Sequence, residues 1–371
     1  MSPVTLEDLL RGMTAPSAPV LAQRLPDGRV QCFACGHRCR IGEGNQGVCR
    51  VRFVEKGTLQ RPQGYVGALA CDPIEKKPFY HAFPARDALT FGMLGCDFRC
   101  AYCQNWVTSQ VLRDDDAVAL PRRGSAEDLV RVALELGAPV VASSYNEPLI
   151  TADWAVEVFE LARSKGLTCA FVSNGNGTPE VLEYLRPHVD LYKVDLKGFT
   201  DRAYRDLGGK LSNVLDTIRR LKESGVWVEV VTLIIPGFND DPGELGALAD
   251  FLVGVDPDIP WHITAFHPDY KMTDRSRTPA RTLIDAYDIG RTRGLRYVYP
   301  GNVPGQVGDR EDTFCPDCGE RLIHRRGFLV LENRMRGGRC PRCSGRIPGL
   351  WEKSPPPRTP GDGRPKPVAL P

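Results

Sequence analysis

The 371-residue chain, 42% hydrophobic and 25% charged, has the make-up of an ordinary globular protein long enough for two or three domains. Its 48 basic and 46 acidic residues nearly cancel to a net charge of +2, which argues against a chain whose main task is to wrap nucleic acid. No apolar run approaches the roughly 18 residues of a membrane helix, and the N-terminus MSPVTLEDLLRGM lacks a basic start followed by an apolar signal core, so a cytoplasmic protein without a membrane partner is expected.

Residues 1–64 read as a short helix at 6–10, a proline-rich connection and a turn at Pro26-Asp27-Gly28, followed by Cys32-x2-Cys35-x3-Cys39-x9-Cys49. Four thiolates so closely spaced in a reducing compartment favour metal ligation over disulfides. Zinc and an auxiliary iron–sulfur cluster both fit that spacing, and His37 is available as a substitute ligand. Residues 65–87 form a connecting segment in which Asp72, Glu75, Lys76, Lys77 and His81 stand between prolines. Its composition favours a solvated linker over a loop folded across an active site.

Residues 88–300 alternate between strand-like runs at 89–94, 139–143, 168–173, 191–196, 226–235 and 261–266 and helical segments at 125–136, 152–165, 179–185, 211–224, 242–252 and 281–293. Six βα units in series predict an α/β fold with a parallel sheet and right-handed crossovers. Ligands of such sheets gather where the strands end. Those ends carry Cys96-x3-Cys100-x2-Cys103, Tyr145-Asn146-Glu147-Pro148, Ser173-Asn174-Gly175-Asn176-Gly177, Asp195-Leu196-Lys197, Pro236-Gly237-Phe238-Asn239-Asp240 and His267-Pro268. Three thiolates offered to a four-iron cube leave one iron free for chemistry. A structural zinc site would want four ligands, and no fourth Cys or His follows nearby.

Residues 301–351 contain two knuckles, Cys315-x2-Cys318 and Cys340-x2-Cys343, separated by 21 residues that include a hairpin pattern at 321–331. This spacing predicts a zinc ribbon. Its arginines make a nucleic-acid-binding or RNA-modifying protein the competing functional reading. Residues 352–371 are proline-rich with few apolar anchors, and disorder is expected there. Of the thirteen cysteines, Cys71 and Cys169 fall in no group.

The triplet Cys96, Cys100, Cys103, with aromatic Tyr102 before its last cysteine, is similar to that of the radical S-adenosylmethionine (SAM) enzymes. The stretches DPIEKKP (72–78), CQNW (103–106), VDLKGF (194–199), LIIPG (233–237) and FHPDYKMTD (266–274) resemble one subgroup, the radical SAM enzyme of the AmmeMemoRadiSam system, itself close to the pyruvate formate-lyase activating enzymes. The resemblance runs from about Cys32 to Trp351. It implies a partial (β/α)6 barrel of the TIM type and a [4Fe-4S] cluster on Cys96, Cys100 and Cys103, with SAM chelating the open iron. One electron would cleave the sulfonium, and the resulting 5′-deoxyadenosyl radical would abstract hydrogen from a substrate.

The resemblance also distributes contacts to SAM. Glu147 would hold the amino group beside Asn146, and Ser173 and Asn174 would face the ribose or methionine. Lys197 would pair with the carboxylate while Asp195 orients it or holds a cation. Ile235 would pack on adenine, His267 would stand near the ribose, and Tyr102 would border the site. A buried Asp195–Lys197 salt bridge is the structural alternative for that pair. The implied partners are an electron donor such as flavodoxin or ferredoxin, Memo-like and AMMECR-like proteins, and a substrate that is either a protein, as in glycyl-radical activation, or a small molecule.

Overall fold

The computed structural model of the chain describes residues 5–360 and 363–370. Nine strands share one sheet: β1 (Ala68–Pro73), β2 (Asp87–Gly92), β3 (Val140–Ser143), β4 (Thr168–Ser173), β5 (Leu191–Asp195), β6 (Trp227–Ile234), β7 (Trp261–Ala265), β8 (Val298–Gly301) and β9 (Lys366–Pro367). Their spatial order is 8-7-6-5-4-3-2-1-9. Strands β2 to β8 run parallel, whereas β1 is antiparallel to β2 and β9 antiparallel to β1. Near-continuous apolar runs such as Val140-Val141-Ala142 and Leu191-Tyr192 explain the burial of these strands on both faces, as parallel sheets require.

Helices Ala126–Glu135, Ala152–Ser164, Pro179–Leu185, Leu211–Glu223, Pro242–Val255 and Ala280–Arg293 return the chain between the strands. Their starts are written in the sequence. Ser125 and Asp128 form a capping box, Thr178 caps behind Pro179, and Asp241 caps behind Pro242. In Leu211–Glu223 the buried side chains Val214, Thr217, Ile218 and Leu221 recur at helical spacing and face the sheet.

All six expected strands and six expected helices are present, with ends shifted by a few residues. The seventh parallel strand, β8, was hidden by its brevity and by Pro300, a poor strand former. A helix at Asp201–Leu207 was also missed.

Two expectations need correction. The connecting segment is not solvated: β1 lies within it, and the side chains of Asp72, Glu75, Lys77 and His81 are buried. The tail is not free where it is described. Lys366–Pro367 pairs with Ala70 and Cys71, and Thr359 exchanges hydrogen bonds with Val330. Gly361, Asp362 and Pro371 lie outside the described residues.

The N-terminal lobe consists of two small antiparallel sheets, Thr14–Pro16 with Phe53–Glu55 and Thr58–Pro62, and Ala22–Arg24 with Val30–Cys32 and Arg40–Ile41. Arg52 locks it to the core by donating to Ile150 O (2.7 Å) and to the buried Asp153 carboxylate. At the other end, Thr313–Phe314, Arg321–Arg326 and Leu329–Asn333 form the expected hairpin lobe. No described helix is long and apolar enough to cross a membrane.

Candidate active site

The cysteine loop leaves β2 at Gly92, where a Cβ would stand 2.2 Å from Ser144 O, so only glycine admits the neighbouring strand end. Asn146 Oδ1 accepts from Met93 N (3.1 Å), and Asp97 accepts from Asn174 Nδ2 (2.7 Å) and Asn176 Nδ2 (2.8 Å). These side chains fix the loop to the ends of β3 and β4. Within it, Phe98 N donates to Cys96 Sγ (3.3 Å), and Cys103 Sγ lies 3.1 Å from Ser109 Oγ.

Burial pushes the Cys100 thiol up to about 12, against the nearby Lys197 ammonium. A bound metal is what would draw such protons off. The three sulfurs are not all within 4.8 Å of one another. Thiolates on one tetrahedral ion stand about 3.8 Å apart, so as placed the three do not gather around a single zinc.

Cys100, Tyr102 and Cys103 line one end of a cavity of about 350 Å³. Its wall is the concave face of the sheet, with Val172, Val231, Leu233 and Thr264 contributed by β4, β6 and β7. On and just beyond β5, Lys193, Asp195 and Lys197 recur at period two and therefore share that face. Asp195 takes both ammoniums, Lys193 and, at 3.3 Å, Lys197. Burial alone would push Lys197 down, but Asp195, Cys100, Tyr102 and Cys103 hold it well above its ordinary value.

Other sequence-predicted contacts lie elsewhere. Glu147 does not line the cavity: it is 2% exposed, and its oxygens accept from Ser173 Oγ (2.6 Å), Asn174 N (2.7 Å) and Leu149 N (3.0 Å). Burial, helped by the charge of Asp97, raises it to about 8 against those hydrogen bonds. Ser173 and Asn174 are spent on holding Glu147 and Asp97. Ile235 is fully buried, with its N–H on Asn239 Oδ1 (2.7 Å). His267 is largely exposed and stands 3.1 Å from the Gln104 amide, outside the main cavity. The structure thus gathers Tyr102, Asp195 and Lys197 with Cys100 and Cys103 in the cavity, and sets Asn146, Glu147, Ser173 and Asn174 behind the cysteine loop.

Sequence reasoning missed Lys193 and the cavity side of residues 72–81. Asp72 accepts from Lys76 (2.9 Å), Lys77 and the Tyr145 hydroxyl. Tyr80 N and His81 N donate to Glu229. The available signal was the run Phe79-Tyr80-His81-Ala82-Phe83, too aromatic for a solvated linker.

Both outer lobes touch this region. In the ribbon, the ligand atoms of Cys315, Cys318, Cys340 and Cys343 all lie within 4.8 Å of one another, with Cys315–Cys343 and Cys318–Cys340 at 3.6 Å. That spacing fits one tetrahedral ion. The hairpin turn at Gly327-Phe328 lines the cavity. In the N-terminal lobe, no three of Cys32, Cys35, Cys39 and Cys49 are so gathered. Cys32 and Cys39 pack in one apolar cluster, and Cys35 and Cys49 in another beside Val51 and Ile150.

A parallel α/β sheet with a three-cysteine loop over its strand ends is the framework of a radical SAM enzyme. The radical SAM superfamily profile matches residues 91–252. An uncharacterised protein of Methanocaldococcus jannaschii is 36% identical over 330 residues, covering 88% of this chain and 97% of its own. The pyruvate formate-lyase-activating enzyme of Staphylococcus epidermidis is 27% identical over 182 residues, 47% of this chain and 72% of that one. Among solved structures, a radical SAM methyltransferase from Sphaerobacter thermophilus superposes with a TM-score of 0.47 at 18% identity, covering 66% of this chain and 71% of that chain. The chain carries a radical SAM domain over residues 91–252 and is similar to pyruvate formate-lyase-activating enzymes. Such a domain implies SAM and a [4Fe-4S] cluster.

Proposed function

We propose that the chain is a radical SAM enzyme with a partial-barrel core, in which Cys96, Cys100 and Cys103 hold a [4Fe-4S] cluster and the cavity beneath them takes SAM and a substrate. The observation that carries this reading is the cysteine loop opening onto the same cavity as Asp195 and Lys197. When bound, the cluster supplies the electron that cleaves SAM to methionine and a 5′-deoxyadenosyl radical, which takes hydrogen from the substrate. The protein's own part is positional. Asp97 and Glu147 anchor the loop, Lys197 offers its ammonium to the SAM carboxylate, Asp195 orients that ammonium, and the apolar residues of β4 and β6 exclude water.

The resemblance of the DPIEKKP and FHPDYKMTD stretches supports a role in the AmmeMemoRadiSam system, with Memo-like and AMMECR-like partners and an electron from a flavodoxin or ferredoxin. Zinc occupies the C-terminal ribbon as a structural ion. The nucleic-acid reading loses two of its ribbon arginines to contacts within the protein: Arg325 is buried against Tyr80 O and Thr313, and Arg334 pairs with Glu320.

Anaerobic reconstitution with iron and sulfide, then addition of dithionite and SAM, tests the proposal. Wild type should yield 5′-deoxyadenosine, and Cys100→Ala should not. Equal yields from the two proteins would refute it.

A further inference from the structure

Two carboxylates in this molecule, the buried Asp72 and the partly buried Asp195, each serve two ammoniums. Asp72 takes Lys76 and Lys77, and Asp195 takes Lys193 and Lys197. All four lysines line the same cavity, and among the described residues no arginine does. The other carboxylates nearby have partners of their own, apart from Glu75 Oε2, which accepts no hydrogen bond. Glu75 on the cavity wall has Arg325 at 4.0 Å and Ala85 N at 3.0 Å. Glu229, behind the His262 ring, has its oxygens taken by Tyr80 N, His81 N, Trp227 Nε1 and His262 Nε2.

The wall therefore carries more positive than negative charge in a place largely removed from water. Lys77 and Lys193 come from different elements yet repel each other. Burial pushes Lys77 down to about 8 against the pull of Asp72, and Lys76 and Lys193 push it further the same way. Cations collected out of water without matching anions are costly and call for a counter-charge.

If Lys197 serves SAM, as proposed above, the surplus falls to Lys76, Lys77 and Lys193. We infer that these three lysines form an anion subsite for the substrate, and that the substrate is a small organic acid gripped there through a carboxylate or phosphate group. The placement suits such a role. Pro73 at the end of β1 pairs with Asp87 at the start of β2, so residues 74–80 cross the edge where the parallel strands begin. The cysteine loop stands where they finish. An anion held by residues from the first edge would direct the rest of the molecule toward the cysteines, so that remote binding energy orients the reacting carbon. Lysine point charges without an arginine fork accept phosphate and carboxylate alike.

The test is calorimetric titration of the reconstituted protein with inorganic phosphate and, separately, succinate, at fixed ionic strength, with choline chloride as a cation control. Saturable binding of phosphate, succinate or both is expected, and which of them binds identifies the group. Lys77→Met and Lys193→Met should each weaken it roughly thirtyfold, the scale of removing one partner from a desolvated charge contact. Each leaves its carboxylate one ammonium. Lys76→Met, at a partly exposed position, should weaken binding by a smaller factor, and the exposed Lys165→Met should not change it.

Absence of binding, or binding indifferent to all three cavity substitutions, overturns the inference. Formation of 5′-deoxyadenosine by the same wild-type preparation is read separately. Its presence without anion binding refutes the subsite alone, and its absence with anion binding intact refutes the radical assignment alone.

Discussion

The stability of this protein should fall on acidification through one identifiable side chain, His81. Its ring is fully buried, with Nδ1 2.8 Å from Pro348 O and Nε2 2.7 Å from the Tyr299 hydroxyl, and it packs edge-on to Tyr297 and parallel to Trp227. A neutral imidazole that donates from Nδ1 and accepts at Nε2 satisfies every polar atom. Burial lowers its pKa from 6.5 to about 4, against the pull of Glu229 and the Pro348 carbonyl, while Arg325 and His262 lower it further. The unfolded chain therefore takes up a proton below about pH 6.5 that the native state refuses until about pH 4. This contribution is complete above pH 6.5 and is lost as pH falls toward 4. Between pH 7.5 and 5.0 the linkage amounts to about 2 kcal/mol.

Urea unfolding of wild type and His81→Phe at both pH values isolates it, because every other titrating group is common to the two proteins. The variant should start less stable, having left the Pro348 carbonyl without a partner and the Tyr299 hydroxyl with only Thr313 Oγ1 (3.0 Å). Wild type should then lose about 2 kcal/mol more than the variant on acidification. Two stability curves that run parallel in pH would refute the reasoning.

Two further substitutions address the outer lobes. Arg52→Met should cost about 3–5 kcal/mol, since it strands the buried Asp153 carboxylate with only Ala18 N (2.7 Å) and Ser17 Oγ (3.1 Å). The urea midpoint at pH 7.5 measures this, and a change below about 1 kcal/mol would mean that the ion pair does not hold the lobe. On the proposed zinc site, Cys340→Ser should release zinc and lower the melting temperature by about 5 °C or more while leaving the iron content unchanged. Metal analysis with a thermal scan reads both, and loss of iron alongside zinc would show that the two sites are not independent.

The alternation of apolar runs with capped helices made the parallel sheet readable, because β2 to β7 are long, buried on both faces and separated by strong helix starts such as Ser125-x2-Asp128 and Asp241-Pro242. The cysteine loop was readable for the same reason, since its spacing survives any error in strand ends. The orientation of the polar residues at those ends was not readable. A strand end fixes where a residue begins but not which way its side chain turns, and Glu147, Ser173 and Asn174 turn under the loop rather than into the cavity. The Asp72–His81 stretch failed differently. Its charges suggested solvent, and only the partners Tyr145, Glu229 and Arg325, all distant in sequence, reveal that Asp72, His81 and Glu75 are held inside the fold.

The outer lobes brace opposite ends of one cavity, and this follows from where their backbones touch the core. The N-terminal lobe meets the cysteine loop. Gly36 N donates to Asn176 O (2.7 Å), His37 Nε2 stands 3.2 Å from Asp97 O, and a Cβ at Gly95 would meet Cys49 O at 3.2 Å. The ribbon meets the opposite edge, where Arg325 Nη2 donates to Tyr80 O (2.9 Å) and Pro348 O faces His81. Neither lobe has to supply a reacting group for its metal state to matter. A lobe that loosens frees one end of the cavity, the loop that presents three thiolates or the segment that presents Lys76 and Lys77. A chain with three cysteine groups need not hold three reactive centres, and the function proposed above gives chemistry to the middle group and alignment to the other two.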